Sequence, residues 1–136
     1  MNNENKIIIY QVFTRLFGNN NNHCVYNGDI VTNGCGKMAD FTLKALSEIK
    51  KLGTTHIWYT GIIEHATQTD YRRYNISPDH PAIVKGKAGS PYAIKDYYDV
   101  DPDLANDIPE RMREFENLVR RTHRAGLKVI IDFVPN

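Results

Sequence analysis

The chain has 136 residues, of which 41% are hydrophobic and 24% charged, and this composition is typical of a globular domain. Seventeen Lys and Arg residues against 16 Asp and Glu give a formal net charge of +1, which is too small to attract nucleic acid over a distance. The longest apolar run, residues 7–10, is far shorter than the roughly 20 residues of a membrane-spanning helix, so we expect neither a nucleic-acid nor a membrane partner.

The first predicted strand covers residues 6–13 (KIIIYQVF), a nearly continuous run of β-branched and aromatic residues that indicates a strand buried on both faces. Residues 14–40 are rich in Asn and Gly without any period, which predicts a long loop. Asp40 is then predicted to cap a helix that ends at Gly53. The apolar positions along one face of this helix are Phe41, Ala45, Leu46, Ile49 and Leu52.

The second half of the chain repeats this alternation. Residues 54–59 (TTHIWY) are the second predicted strand, and residues 60–106 form a predicted loop far longer than ordinary connections. A second helix is predicted over residues 107–125, with Asp107 and Glu110 at the spacing of a capping box and Pro109 in the first turn. Residues 127–134 (LKVIIDFV) are the third predicted strand, interrupted by one acid, Asp132.

The order strand, helix, strand, long loop, helix, strand predicts an α/β fold with a parallel sheet, either open and doubly wound or part of a barrel. In both architectures ligands bind at the carboxyl ends of the strands. The two long loops, 14–40 and 60–106, both follow strands, whereas the returns from helix to strand are short. This asymmetry favours a functional rim on one face, with an insertion of no function as the alternative.

Tyrosines and aspartates alternate within residues 89–102, and that mixture suits a sugar. A pyranose has an apolar face that stacks on an aromatic ring and hydroxyl groups that bind carboxylates. A packed loop with turn-forming aspartates explains the composition equally well.

Asp132 is a carboxylate in an otherwise apolar predicted strand. An unpaired buried charge costs several kcal/mol, so we expect an arginine, a hydrogen-bonded network or access to solvent at this position. The spacing from Asp132 to Asn136 places two oxygen ligands around a strand end, which suits a hard cation or a sugar.

The polar residues at the N-terminus lack the apolar stretch of a secretory signal, so we expect a cytoplasmic protein, with export left open for a trimmed chain. Cys24 and Cys35 lie in no zinc-binding pattern. They are expected to be free thiols, and to form a disulfide only if the protein is exported.

Four segments taken in order resemble the alpha-amylase family of glycoside hydrolases: residues 9–13 (IYQVF), 53–58 (GTTHIW), 90–102 (SPY through DYYDVDP) and 132–136 (DFVPN). The resemblance covers the chain from about residue 6 to its end. It implies that residues 1–136 are the N-terminal portion of a catalytic (β/α)₈ TIM-type barrel, with three strands and two helices and with both long loops on the catalytic face. The implied activity is hydrolysis or transglycosylation of α-glucosidic bonds in starch-like glucans by a retaining two-carboxylate mechanism.

The resemblance also implies roles for single residues. Tyr92 matches the tyrosine that stacks on the sugar ring at the cleavage point, and Asp132 matches the strand-three aspartate that supports the active-site network. Asn136 matches the asparagine that often binds a structural calcium ion. The family's catalytic carboxylates come from later strands, so the resemblance implies no catalytic residue in this chain and no activity of residues 1–136 alone.

The implied partners are an α-glucan or maltooligosaccharide and, because a partial barrel leaves sheet edges open, the remainder of the barrel or a second copy of the chain. Pro91 and Ala93 around Tyr92, and Thr60-Gly61 after the second strand, depart from many family members and leave the exact substrate open. Two alternatives remain. One is a non-catalytic carbohydrate-binding module on the same barrel start, with Tyr92 and Tyr97 holding sugar, and the other is an unrelated doubly wound α/β domain.

Overall fold

A parallel sheet with two covering helices organises the computed structural model, which describes residues 6–135. The strands in this part of the chain are Ile9–Phe13 (β1), His56–Thr60 (β2), Ile63–His65 (β3), Ile94–Val100 (β4) and Lys128–Ile131 (β5). Its helices are Ile30–Asn33 (α1), Leu43–Lys51 (α2) and Arg111–Arg124 (α3). None of these helices is long and apolar enough to cross a lipid bilayer.

β1, β2 and β5 are neighbours in that order, and all are parallel. Gln11 lies opposite Trp58, which lies opposite Ile130. Helix α2 lies between β1 and β2 in the chain, and α3, which precedes β5, packs against both α2 and β5. The predicted alternation of strands and helices, and with it the α/β class, is confirmed.

The predicted start of α2 is wrong by two residues. Thr42, and not Asp40, caps the helix, since its side-chain oxygen accepts a hydrogen bond of 3.2 Å from the backbone N–H of Ala45. The Asp40 carboxylate instead accepts from the backbone N–H of Lys37 at 2.6 Å within a 3₁₀ turn. Gly53 follows the helix with φ +86°, which a residue with a side chain rarely adopts.

The predicted capping box of the second helix is also wrong. Residues 108–110 form a 3₁₀ turn, and α3 begins at Arg111. The carboxylate of Glu114, one turn into the helix, accepts from the backbone N–H groups of Asn106 and Asp107 at 2.9 and 3.0 Å. Its longer side chain reaches back to N–H groups that the turn leaves without helical partners, and its negative charge lies near the positive end of the helix.

The core lies between the sheet and the helices and is centred on Tyr59 of β2. Its ring meets the edge of Phe41 at 4.9 Å, and Phe41 stacks on Phe17 at 4.2 Å. Because Thr122 Oγ1 donates to the carbonyl of Leu118, the Tyr59 hydroxyl donates to Thr122 at 2.7 Å. Burial raises the pKa of Tyr59 to about 12, so the hydroxyl keeps its proton.

The expectation that the first strand is buried on both faces is wrong for this chain. Ile7, Ile8 and Ile9 are 66%, 37% and 50% exposed. In the described residues β1 is an edge strand with β2 as its neighbour, and the buried side chains of these two strands, Val12, Ile57 and Tyr59, share one face of the sheet. The apolar run of β1 indicates a strand with two apolar faces. In the described residues only one of these faces is packed against other side chains.

The stretch predicted as one loop, residues 60–106, contains an antiparallel pair. β3 lies against β4, with Ile63 opposite Val100 and Glu64 opposite Asp96. The register shifts twice within three residues of β3. A three-residue strand is too short for a periodic pattern, and the charges in β4 hide its alternation.

The packing of α3 gives a test of the core. Leu118 is fully buried in the main hydrophobic cluster, whereas Leu52 is 69% exposed. We expect Leu118→Ala to lower the free energy of unfolding by about 2–5 kcal/mol, because it leaves a cavity between helix and sheet. Leu52→Ala should change it by less than about 0.5 kcal/mol in the same urea titration. Equal effects of the two variants would contradict this packing.

Candidate functional site

Asp132 lies at the carboxyl end of the parallel sheet. The predicted strand 127–134 is too long, because β5 ends at Ile131 and Asp132 follows it. The indole N–H of Trp58 on the neighbouring strand β2 donates to Oδ1 of Asp132. Of the partners expected for Asp132, the structure shows a hydrogen bond from the neighbouring strand and not an arginine.

Tyr92 lies beside Asp132, so the structure brings together the two residues predicted to bind substrate. Partial desolvation, and after it the nearby Asp132 carboxylate, raise the pKa of Tyr92. Oδ2 of Asp132 is buried and accepts no hydrogen bond from the described residues.

Two aromatic side chains and a cleft of about 10 Å³ lie near Asp132. The Tyr97 hydroxyl donates to the carbonyl of Val134, and its ring lies 5.4 Å from that of Phe133. The cleft is lined by Gly61, Pro91 and Asp132 among others. Asn136, the predicted calcium ligand, lies outside the described residues, so that prediction stands as it was.

Two aspartates, Asp101 and Asp103, are fully buried. Asp103 is held by four side chains. Arg15 donates to its Oδ2 through both terminal nitrogens at 3.2 Å. The Tyr71 hydroxyl donates to Oδ1 at 2.5 Å, and the Thr67 hydroxyl to Oδ2 at 3.3 Å. The Lys37 ammonium donates to the backbone carbonyl of Asp103 at 2.6 Å. These bonds join the loop after β1 to the loop after β2.

Asp101, the second buried aspartate, has no such cation. Burial, and then the charge of Asp103, raise the pKa of Asp101 well above its ordinary value. Its Oδ1 accepts from the backbone N–H of Asp103 at 3.0 Å, and its Oδ2 lies 3.3 Å from His65 Nε2.

The other ring nitrogen of His65 fixes the tautomer. Nδ1 lies 2.9 Å from the carbonyl of Ile63, which can only accept, so Nδ1 carries a proton. Burial lowers the pKa of His65, which favours the neutral ring. Asp101 Oδ2 therefore faces the ring nitrogen Nε2 that carries no proton, and the raised pKa of Asp101 favours the protonated carboxyl in this contact. Sequence reasoning missed this pair, because Asp101 and Asp103 were interpreted as turn formers and the histidines as scattered.

A third group of carboxylates, Glu64, Asp96 and Asp99, lies on the β3–β4 pair, with one oxygen of each within 4.8 Å of the others. Oxygen ligands of this kind suit calcium. However, Arg111 binds both oxygens of Asp99 at 2.9 and 2.6 Å, and the Lys95 ammonium lies 3.9 Å from Glu64. Two side-chain cations already offset the charge, so these donors do not fit a calcium site.

The comparisons with known proteins concern the chain as a whole. A family model described as the alpha-amylase catalytic domain matches residues 11–136. Alpha-amylase 2 of Dictyoglomus thermophilum is 28% identical over 129 residues, which cover 95% of this chain and 18% of that protein. The amino acid transporter heavy chain SLC3A1 of Rattus norvegicus is 47% identical over 45 residues, which cover 33% of this chain and 6% of that protein.

Among solved structures, the alpha-amylase of Geobacillus thermoleovorans complexed with acarbose is similar with a TM-score of 0.61 and 25% identity. The alignment covers 95% of this chain and 22% of that one. The chain thus spans less than a quarter of the length of these relatives.

The Arg15–Asp103 contact predicts a large loss of stability on truncation. Asp103→Ala leaves the mostly buried guanidinium of Arg15 and the Tyr71 hydroxyl without their acceptor. We expect the free energy of unfolding to fall by about 3–5 kcal/mol. Asp70→Ala, which removes an exposed pair with Arg72, is the control and should leave the unfolding midpoint nearly unchanged. A loss for Asp103→Ala as small as for the control would be evidence against the network.

The raised pKa of Asp101 predicts that the free energy of unfolding depends on pH. Because its pKa is raised, the folded state keeps a proton that the unfolded chain releases above the ordinary value of 3.8. The free energy of unfolding therefore falls as the pH rises from there to the pKa of the folded state. His65, whose pKa is lowered, contributes the opposite slope below its ordinary 6.5.

Asp101→Asn separates the two contributions. The amide keeps an acceptor for the Asp103 N–H and a donor for His65 Nε2 but does not titrate. We expect this variant to lose the decline in stability above pH 4 and to be at least as stable as the wild type at pH 7. Urea titrations at several pH values measure both, and an unchanged pH profile would show that Asp101 is ionised in the folded protein.

Proposed function

The chain belongs to the alpha-amylase family, and from that premise we propose that the protein carrying it cleaves or transfers α-glucosidic bonds of starch-like glucans. Its relatives in that family include enzymes named as alpha-amylase, alpha-glucosidase and cyclomaltodextrin glucanotransferase. The observation that supports the proposal is the Asp132 site at the carboxyl end of β5. There Trp58 holds one carboxylate oxygen, the other is buried without a good partner, and Tyr92 lies alongside.

This arrangement has the chemistry of a sugar subsite. A buried carboxylate oxygen without a donor is unfavourable, and a sugar hydroxyl can supply the missing hydrogen bond to Asp132 Oδ2. The half-exposed ring of Tyr92 offers an apolar surface for the C–H face of the same sugar. The Trp58 N–H fixes the carboxylate, so binding does not need to order it.

Retaining hydrolysis also needs two carboxyl groups about 5 Å apart across the scissile bond. In Glu64, Asp96 and Asp99 the described residues do hold neighbouring carboxylates, but Arg111 binds both oxygens of Asp99. We therefore assign the nucleophile and the general acid to other residues of the protein that carries this chain. Residues 1–136 supply the substrate-binding part and are proposed to be inactive alone.

Calcium is proposed at Asn136, the position that the family resemblance indicates, and not at the Glu64 cluster. When bound there, the ion would hold the chain that follows the third parallel strand in a fixed conformation. No step of the sugar chemistry is assigned to it.

A second candidate function is a binding or assembly role without catalysis. The observation that favours it is the 47% identity over 45 residues to a protein named as an amino acid transporter heavy chain. On this candidate the protein binds a partner and turns over no glucan. Measurement of turnover separates the two candidates.

The enzymatic proposal predicts that Asp132→Asn and Tyr92→Ala, introduced into the full-length protein, each lower kcat/KM on maltoheptaose by about a hundredfold or more. Asp107→Asn is the control, because this exposed side chain makes no capping hydrogen bond, and its activity should equal that of the wild type. Wild-type activity of the Asp132 variant, or turnover by residues 1–136 alone, would contradict the assignment. Binding of maltoheptaose without any turnover by the full-length protein would favour the second candidate.

A further inference from the structure

We propose that a second cleft, separate from the Asp132 site, binds a glucose unit of the same α-glucan chain. This inference rests on the proposed function and extends it. The cleft, called here the Tyr26 cleft, has a volume of about 600 Å³, within the range of small-molecule sites. The residues that matter for its chemistry are Tyr26, Asn27, Asn33, Gln68, Lys85 and Lys87.

The ring of Tyr26 is the feature that points to a ligand. It is 99% exposed, and within residues 6–135 it makes no hydrogen bond and no contact with another ring. Such a side chain contributes nothing to packing and presents both apolar faces to water. Stacking on the C–H face of a pyranose would remove one face from water, which is favourable.

The walls of the cleft are held in place before any ligand binds. Asn27 Oδ1 accepts from the backbone N–H of Lys87 at 2.9 Å and so joins the loops after β1 and β2. The Asn33 amide bonds both the N–H and the carbonyl of Val25 at 2.9 Å. Arg15 donates to the carbonyl of Ala88 at 2.7 Å. A preformed wall lowers the entropy cost of binding.

Close approach of the two loops is built into the backbone. Gly86 has φ +102°, and a Cβ placed on it would lie 3.1 Å from Asn27 Oδ1. Asn27 itself has φ +52°, in the left-handed region that asparagine tolerates better than most residues. Both backbone conformations allow the hydrogen bond between Asn27 and the N–H of Lys87, which holds the two walls of the cleft together.

The polar groups of the cleft suit a neutral polyol better than an anion. The side chains of Gln68 and Lys85 make no hydrogen bond or ion pair in the described part of the chain, so both offer donors to a ligand. Lys87 also lies near Asp29, whose pKa is lowered first by hydrogen bonds from Thr32 and further by the charge of Lys87. Amides, ammonium groups and an aromatic ring together match the hydroxyl groups and the apolar face of glucose.

The Tyr26 cleft and the cleft at Asp132 share no lining residue. Both lie on segments that follow the carboxyl ends of parallel strands, so they belong to the same end of the sheet. We infer from this placement that a glucan of several units is held at both places, whereas a short substrate occupies the Asp132 site alone.

The test compares Tyr26→Ala with the wild type in the full-length protein, with amylopectin as the probe in affinity gel electrophoresis. We expect the variant to bind about five- to tenfold more weakly, as the loss of one aromatic stacking contact predicts. Tyr26→Phe should keep wild-type affinity, because the ring carries the interaction. Ile83→Ala is the matched control, since this side chain is 59% exposed nearby but does not line the cleft. All variants should melt at the wild-type temperature.

Kinetics separates this inference from the proposed function. In Tyr26→Ala the KM for amylopectin should rise, while kcat/KM for a chromogenic maltotrioside stays at the wild-type value. Unchanged amylopectin affinity in Tyr26→Ala, together with loss of activity in Asp132→Asn, would overturn the second site and leave the function standing. Competition by millimolar inorganic phosphate would show an anion site and also overturn it. A wild-type protein that binds no α-glucan would overturn both.

Discussion

Asp101 and Asp103 are both fully buried, and the guanidinium of Arg15 binds the carboxylate of the second. One buried cation can offset one buried anion, and a second ionised carboxylate beside it would be strongly unfavourable. Arg15 binds Asp103, whereas burial beside that carboxylate favours the protonated form of Asp101 opposite the ring of His65. The loops at the carboxyl end of the sheet depend on this arrangement of charges, because Arg15, His65 and the two aspartates come from three separate segments of the chain.

The same network positions both clefts. Arg15 follows β1 and donates not only to Asp103 but also to the carbonyl of Ala88, in the segment that lines the Tyr26 cleft. Asp101 and Asp103 follow β4 directly, and the segment that enters β4 carries Tyr92 toward Asp132. The loops are long, but the contacts of Arg15 with Asp103 and Ala88 join them to one another, and the parallel sheet fixes their ends. Long connections of this kind can present rigid binding surfaces only when such an interior anchor exists.

Local sequence patterns predicted the strands of the parallel sheet and both of its helices, with differences of a few residues at their ends. Thr42 and Asp40 are both good caps, and the choice between them depends on where the preceding chain turns. The separate roles of Tyr92 and Asp132 were predicted through the family resemblance and not through periodicity, and their contact was not predicted. The buried network was not predicted, because Arg15 and Asp103 are 88 residues apart and Asp101-Pro102-Asp103 does form the turn that its composition indicates.

The tyrosines show why composition alone could not separate sugar-binding residues from packed ones. Tyr97 belongs to the segment that suggested a sugar, yet its hydroxyl is engaged by the Val134 carbonyl and its ring packs on Phe133. Tyr71 keeps its proton and donates to a buried aspartate, which is a structural role. Tyr26 lies in the asparagine-rich loop 14–40, which was predicted to belong to a functional rim without any sugar-binding residue being named in it, and it alone of these three is almost wholly exposed. All three have the same chemistry, so composition does not distinguish them; the structure does, because Tyr71 and Tyr97 have hydrogen-bond partners among the described residues and Tyr26 has none.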